Sequence, residues 1–119
     1  MKFDSTEVAG VYLIKPRPLI DERGWFARTF CKREFAEIGV HDELAQRNQS
    51  FNRLKGTFRG MHYQKPPFAE KKLVRCVAGS IVDIVIDIRK GSPTFLRTLK
   101  VELSADDMNM ILIPEGVAH

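Results

Sequence analysis

The stretch Lys72-Leu-Val-Arg-Cys-Val-Ala-Gly-Ser-Ile-Val-Asp-Ile-Val-Ile-Asp-Ile88 decides the fold. Two short apolar runs, Leu73 to Val77 and Ile81 to Ile88, flank a tight turn at Gly79-Ser80. Both runs are rich in β-branched residues and too short for helices, so they read as strands. Side chains alternate along a strand. Val82, Ile84, Ile86 and Ile88 therefore share one face of the second run, and Asp83, Val85 and Asp87 share the other. An aspartate in so apolar a strand is costly to bury unless it is paired. Asp83 is expected to meet a cation or to orient a histidine.

The same pattern continues on both sides. Gly91-Ser-Pro-Thr94 is a turn, Leu99, Val101 and Leu103 alternate in a strand, and Ser104 to Asp107 turns into a further strand, Met108 to Ile113. Upstream, Val8 to Pro18 reads as a first strand ending at Pro16-Arg-Pro18. The charged turn Asp21-Glu-Arg-Gly-Trp-Phe26 leads into a strand from Trp25 to Phe30. Cys31, Phe35 and Ile38 have helical spacing, with Gly39 placed to cap. This is the only helix expected. Short strands with a turn every ten or so residues indicate an all-β sandwich or barrel.

Composition narrows the function classes. The chain has 119 residues, enough for a single domain, 1–119, with a real core. Its 44% hydrophobic and 29% charged residues are those of a globular protein. No apolar run approaches a membrane span, and Met1 to Glu7 lacks the apolar centre of a signal peptide. A cytoplasmic location is the default. Cys31 and Cys76 show no motif spacing and are read as free thiols. The net charge of +4 is spread among acids and forms no basic run, which argues against nucleic-acid binding. A balance of this size suits a small anionic ligand such as a sugar nucleotide, and equally serves as solubility charge alone.

The chemistry concentrates in Lys55-Gly-Thr-Phe-Arg-Gly-Met-His-Tyr-Gln64. Within it Thr57 to Gln64 reads as a strand, with Phe58, Gly60, His62 and Gln64 on one face and Arg59 on the other unless Gly60 marks a bulge. A histidine inside a β-barrel beside a cation is a candidate general base. A lone histidine is more often a hydrogen-bonded core or rim residue. The rest of the chain tips the balance.

His62, together with His119 at the end of Pro114-Glu-Gly-Val-Ala-His119, resembles the two motifs of the cupin superfamily. That resemblance implies a double-stranded β-helix, or jelly roll, binding its ligand inside the barrel. Metal-binding cupins supply a second histidine and a glutamate. Here Gln64 takes the second histidine's place, and Pro66-Pro67 disturbs the spacing to Glu70. A divalent transition metal wants several imidazole or carboxylate ligands, so no metal or other cofactor is expected.

The finer resemblance is to the dTDP-4-dehydrorhamnose 3,5-epimerase family, metal-free cupins of deoxysugar-nucleotide synthesis. It rests on Asp21 to Phe26, Gln46-Arg-Asn48, Gly56 to Gln64, Lys72 to Arg75, Asp87-Ile-Arg89, Gly91 to Thr94 and Pro114 to His119, in that order. The resemblance implies epimerisation of dTDP-4-dehydro-6-deoxyglucose at C3 and C5. His62 would be the base, since imidazole titrates near neutral pH, and Lys72 would stabilise the enolate oxygen. Arg23 and Arg59 would bind the diphosphate. Gln46, Asn48, Phe26 and His119 would contact nucleotide or sugar. Asp83 is expected to support His119 from inside the barrel. The family also implies a homodimer that exchanges an N-terminal strand, so that Arg23 and Phe26 serve the neighbour's site. Arg28 and Arg47 stand where the family commonly has acids, and the matching needs about one extra residue between Asn48 and His62. The family's acid tyrosine and the aspartate that pairs with its base lie beyond the motif ending at His119, and neither Tyr12 nor Tyr63 matches. The chain is expected to lack the family's C-terminal strands. The rival readings are a catalytically silent sugar-nucleotide-binding cupin and an epimerase or ketoisomerase acting at one carbon.

Overall fold

A computed structural model describes residues 1–119 and contains nine strands and one helix. In chain order these are β1 (Lys2–Ser5), β2 (Tyr12–Lys15), β3 (Leu19–Asp21), β4 (Gly24–Phe26), α1 (Lys32–Ala36), β5 (Lys72–Arg75), β6 (Ser80–Asp87), β7 (Thr98–Ser104), β8 (Met110–Ile113) and β9 (Val117–Ala118). One sheet has the order β1-β2-β8-β5 and a second the order β7-β6-β9, while β3 and β4 form a separate two-stranded hairpin. All pairings are antiparallel.

The two larger sheets face each other across a core of Val8, Val11, Cys76, Val85, Leu103, Ile111, Ile113 and Val117. The strand β8 is buried along its whole length. Ile111 and Ile113 point between the sheets, whereas Met110 and Leu112 point outward into a second cluster with Ile14 and Phe35. Phe35 comes from α1 and packs edge-on against Phe3, ring centroids 5.4 Å apart. A strand apolar on both faces has to be covered on both faces. The short helix covers the second one.

The deciding stretch forms its two strands within two residues of the expected limits, but β5 and β6 do not pair with each other. They belong to different sheets. Gly79, at φ +68°, turns the corner between them, and the buried Cys76 thiol donates to the carbonyls of Ala78 and Gly79. On β6 the Asp83, Val85 and Asp87 face is the buried one, while Val82 and Ile84 are half exposed.

Other expectations need correction. Val8 to Pro18 is not one strand, because the chain turns back at Gly10 (φ +80°) and pairs Tyr12–Lys15 with an unforeseen strand, Lys2–Ser5. The strand expected from Trp25 to Phe30 stops at Phe26. The helix forms one residue inside its expected start and ends at Ala36, and Gly39 closes the turn after it by donating to the Ala36 carbonyl. No strand forms over Thr57 to Gln64. Gly60, at φ +119°, takes the backbone out of strand geometry.

At the base of the first sheet the Met1 ammonium lies 2.5 Å from Glu34, whose other oxygen accepts from Arg28 at 2.8 Å. These two cations hold the Glu34 carboxyl down to about 2. A depressed carboxyl stabilises the fold above its unfolded value and loses that contribution as pH falls through the folded one. Acid unfolding of Glu34→Gln is therefore expected to lack part of the slope that the parent shows between about pH 4.5 and 2. A second comparison tests the core: Ile111→Ala should cost about 2–5 kcal/mol in urea unfolding, and Ile84→Ala on the open face below about 1 kcal/mol.

Candidate active site

Register decides which side chains look into the space between the sheets. Lys72 lies directly across from Ile113 and Val74 across from Ile111, so Lys72 shares the inward face of the first sheet with core residues. Asp83 occupies the inward face of the second. The strand β9 pairs with β6 through Ile86↔Ala118 and Asp87↔Val117, delivering His119 immediately after it. His119 Nδ1 lies 3.2 Å from both carboxylate oxygens of Asp83. The Asp83 carboxylate is 7% exposed and the imidazole 20%. An aspartate held against one ring nitrogen fixes the ring's orientation and leaves the other nitrogen for a ligand.

The backbone joins the two motif histidines. His62 N–H donates to the His119 carbonyl at 2.6 Å, and His119 N–H returns a bond to the His62 carbonyl at 3.1 Å. This double bridge substitutes for the strand expected around His62 and lays the segment against the outer edge of β9. Gly60 fits closely there: a Cβ on it would lie 3.0 Å from the His119 carbonyl oxygen. The His62 side chain is exposed at the rim, not enclosed in the barrel. Lys72 Nζ has Glu70 at 3.6 Å as its carboxylate neighbour, and the lysine side chain is 27% exposed.

The remaining expected residues are not gathered around this centre. Arg23 sits on the β3–β4 turn, 83% exposed, with its guanidinium on Asp21 at 2.5 Å. Its pull and its N–H hold the Asp21 carboxyl below the usual range. Phe26 is exposed on β4, and the hairpin bonds to no other strand. Arg59 donates to Asn52 Oδ1 at 2.6 Å and to the Phe51 carbonyl, which keeps it on the loop before His62. Gln46 and Asn48 lie exposed in irregular chain. A cleft of about 310 Å³ is lined by Tyr63, Gln64, Arg89 and Glu115 among others. A second, about 220 Å³, includes Phe26, Arg28 and Leu19. No three His, Cys, Asp or Glu side chains converge on one point.

Sequence reasoning passed over Asp87. The cost argument that singled out Asp83 applies to it more strongly, since Asp87 is completely buried. Arg89, Ser92 and Thr94, just downstream, were the available signal.

Two facing antiparallel sheets, with a histidine brought in by each of two motif segments, define a cupin-type jelly roll with a candidate site at the rim between its sheets. The family model of dTDP-4-dehydrorhamnose 3,5-epimerase matches residues 5–119. The chain belongs to that family. It is 44% identical to a Shigella flexneri dTDP-4-dehydrorhamnose 3,5-epimerase over 120 residues, covering 100% of this chain and 66% of that protein. A crystal structure of the Bacillus anthracis epimerase with TDP and PPi bound superposes with a TM-score of 0.94 at 38% identity, covering 99% of this chain and 67% of that one. The Legionella pneumophila enzyme, in complex with dTDP-4-keto-L-rhamnose, gives 0.90 at 37% identity, with 99% and 62% covered. The chain thus spans about two thirds of the length of these relatives.

The Gly60 contact is directly testable. Gly60→Ala combines a φ that favours glycine with a 3.0 Å approach to backbone, and should cost about 1–3 kcal/mol in chemical denaturation.

Proposed function

We infer that this chain carries the proton-abstracting half of an epimerase acting on a dTDP-4-keto-6-deoxy sugar. The carrying observation is the linked group of His62, His119 and Asp83, bonded through backbone and side chain, with Lys72 on the facing sheet. Removing a proton from carbon beside a ketone needs a base, and the charge that develops on oxygen needs a fixed cation. His62 is the base and Lys72 the cation in this reading. His119, oriented by Asp83, contacts the sugar, while Arg59 and Arg23 take the diphosphate with Gln46, Asn48 and Phe26 on the nucleotide. The nucleotide and ketosugar bound by the Bacillus and Legionella relatives support that substrate class.

The reading includes a homodimer. Leu19, Ile20, Trp25 and Phe26 of the isolated hairpin are 72%, 79%, 61% and 73% exposed, and an arm this apolar calls for cover. A neighbouring subunit provides it and receives Arg23 and Phe26 at its own site. A cytoplasmic setting fits the two free thiols, Cys31 and Cys76. No helix is long and apolar enough to cross a membrane.

A second reading, binding without turnover, draws on the positions of the tyrosines. Tyr12 is paired in β2 and Tyr63 lines the cleft with Gln64 and Glu115, so neither stands out as the acid that returns the proton. The two readings part in D₂O. Incubation with dTDP-4-keto-6-deoxyglucose, followed by NMR at the C3 and C5 protons, should give exchange that His62→Ala abolishes and Asp83→Asn reduces at least tenfold. Nucleotide-sugar binding with no exchange would leave the binding reading, and Asp83→Asn with full exchange would remove that residue's role.

A further inference from the structure

The buried Asp87 lies at the end of β6, opposite Val117 of β9. It accepts from the Arg89 backbone N–H (3.0 Å), Arg89 Nε (2.8 Å) and Nη2 (2.8 Å), Ser92 Oγ (2.5 Å) and Thr94 Oγ1 (2.7 Å). The Arg89 guanidinium, followed by the two hydroxyls, holds this carboxyl far below the usual range against the opposing effect of burial. Such a group is a fixed anchor at every physiological pH.

What it anchors is the arginine. Arg89 Nη2 also donates to the Ala9 carbonyl at 2.6 Å, and Thr94 Oγ1 accepts from Ala9 N–H at 3.0 Å. The aliphatic stem of Arg89 lies across Gly116, where a Cβ would come within 2.7 Å of its Cγ. Gly10 faces Pro114 in the same way, a Cβ there lying 3.2 Å from the proline ring. The turn from Pro114 to Gly116 is thus seated in a slot whose walls are the Arg89 stem and the loop at Ala9-Gly10.

That turn governs His119. The strand β9 has two residues and two pairs with β6, too few to fix its own register. We propose that Arg89, gripped by Asp87, is a positioning residue for His119: its fork and stem fix the Pro114–Gly116 turn and so set where His119 meets Asp83 and His62. The requirement is for the planar fork and not for positive charge alone, because the guanidinium holds Asp87 and Ala9 at once. The inference rests on His119 being a site residue, but its test needs no substrate, so it fails or stands separately from the proposed reaction.

The test is residue-resolved NMR on the full chain. In Arg89→Lys, the amides of His62 and His119 should exchange with solvent at least tenfold faster than in the parent. The His119 imidazole ¹⁵N shifts should move away from those of a ring bonded at Nδ1. The amides of the β2–β8 ladder should keep their parent rates. Ser92→Ala, a milder change removing one donor to Asp87, should do the same to a smaller extent and covers the case in which Arg89→Lys does not fold. Unchanged His62 and His119 amides and ring shifts in a folded variant would overturn the proposal. So would an equal acceleration in the β2–β8 ladder, which reports general loosening.

Discussion

The structure depends on burying β8 on both faces. Met110, Ile111, Leu112 and Ile113 are all shielded, alternately toward the second sheet and toward α1. At roughly 25 cal/mol per Å² of apolar surface, four large side chains are among the strongest terms a chain of this size has. They recruit everything else. The strands β2 and β5 flank β8, Phe35 closes one side, and Val85 with Leu103 closes the other. The next residues in sequence, Pro114 to His119, leave this fixed strand and cross to the opposite sheet.

Polar residues then divide by burial. Asp83 and Asp87 are two turns of one alternation on β6, both inward, yet they do different work. Asp87 is saturated with donors from its own neighbourhood. Asp83 has an imidazole from the far end of the chain. An internal carboxylate satisfied locally is a structural knot, whereas Asp83 is satisfied by a histidine that reaches the rim. Arg23, Arg59, Gln46 and Asn48 stand at the other extreme, exposed on loops and on the hairpin, the part of a fold that most readily shifts to meet a ligand.

Much of this was legible in the order of residues. The alternation in Ile81 to Ile88 located β6 within a residue, and the same alternation predicted that Asp83 needs a partner. Cys31, Phe35 and Ile38 announced the one helix. The illegible parts have physical reasons. The strand β1 reads Lys-Phe-Asp-Ser and holds its place by pairing with β2 and packing Phe3 on Phe35, neither visible locally. The strand β9 is two residues long, below the reach of any periodicity. The run from Thr57 to Gln64 has strand-like composition, but Gly60 departs from strand dihedrals and the segment bonds to the rest through the histidine bridge. That β5 and β6 part into different sheets depended on the Cys76 corner, which composition does not encode. The family resemblance supplied what periodicity did not: that His62 and His119 belong together.

The pairing of β2 with β8 has a consequence for how the molecule comes into being. Tyr12 waits for Leu112 and Ile14 for Met110, partners separated by nearly the entire chain. Closing so long a loop precedes any reward from the contacts it makes, which slows β-rich folding. During synthesis the first sheet has no centre until β8 has left the ribosome. Ile14 and Phe35 are meanwhile uncovered. Apolar surface left open over that interval is the kind that favours aggregation before the sheet closes.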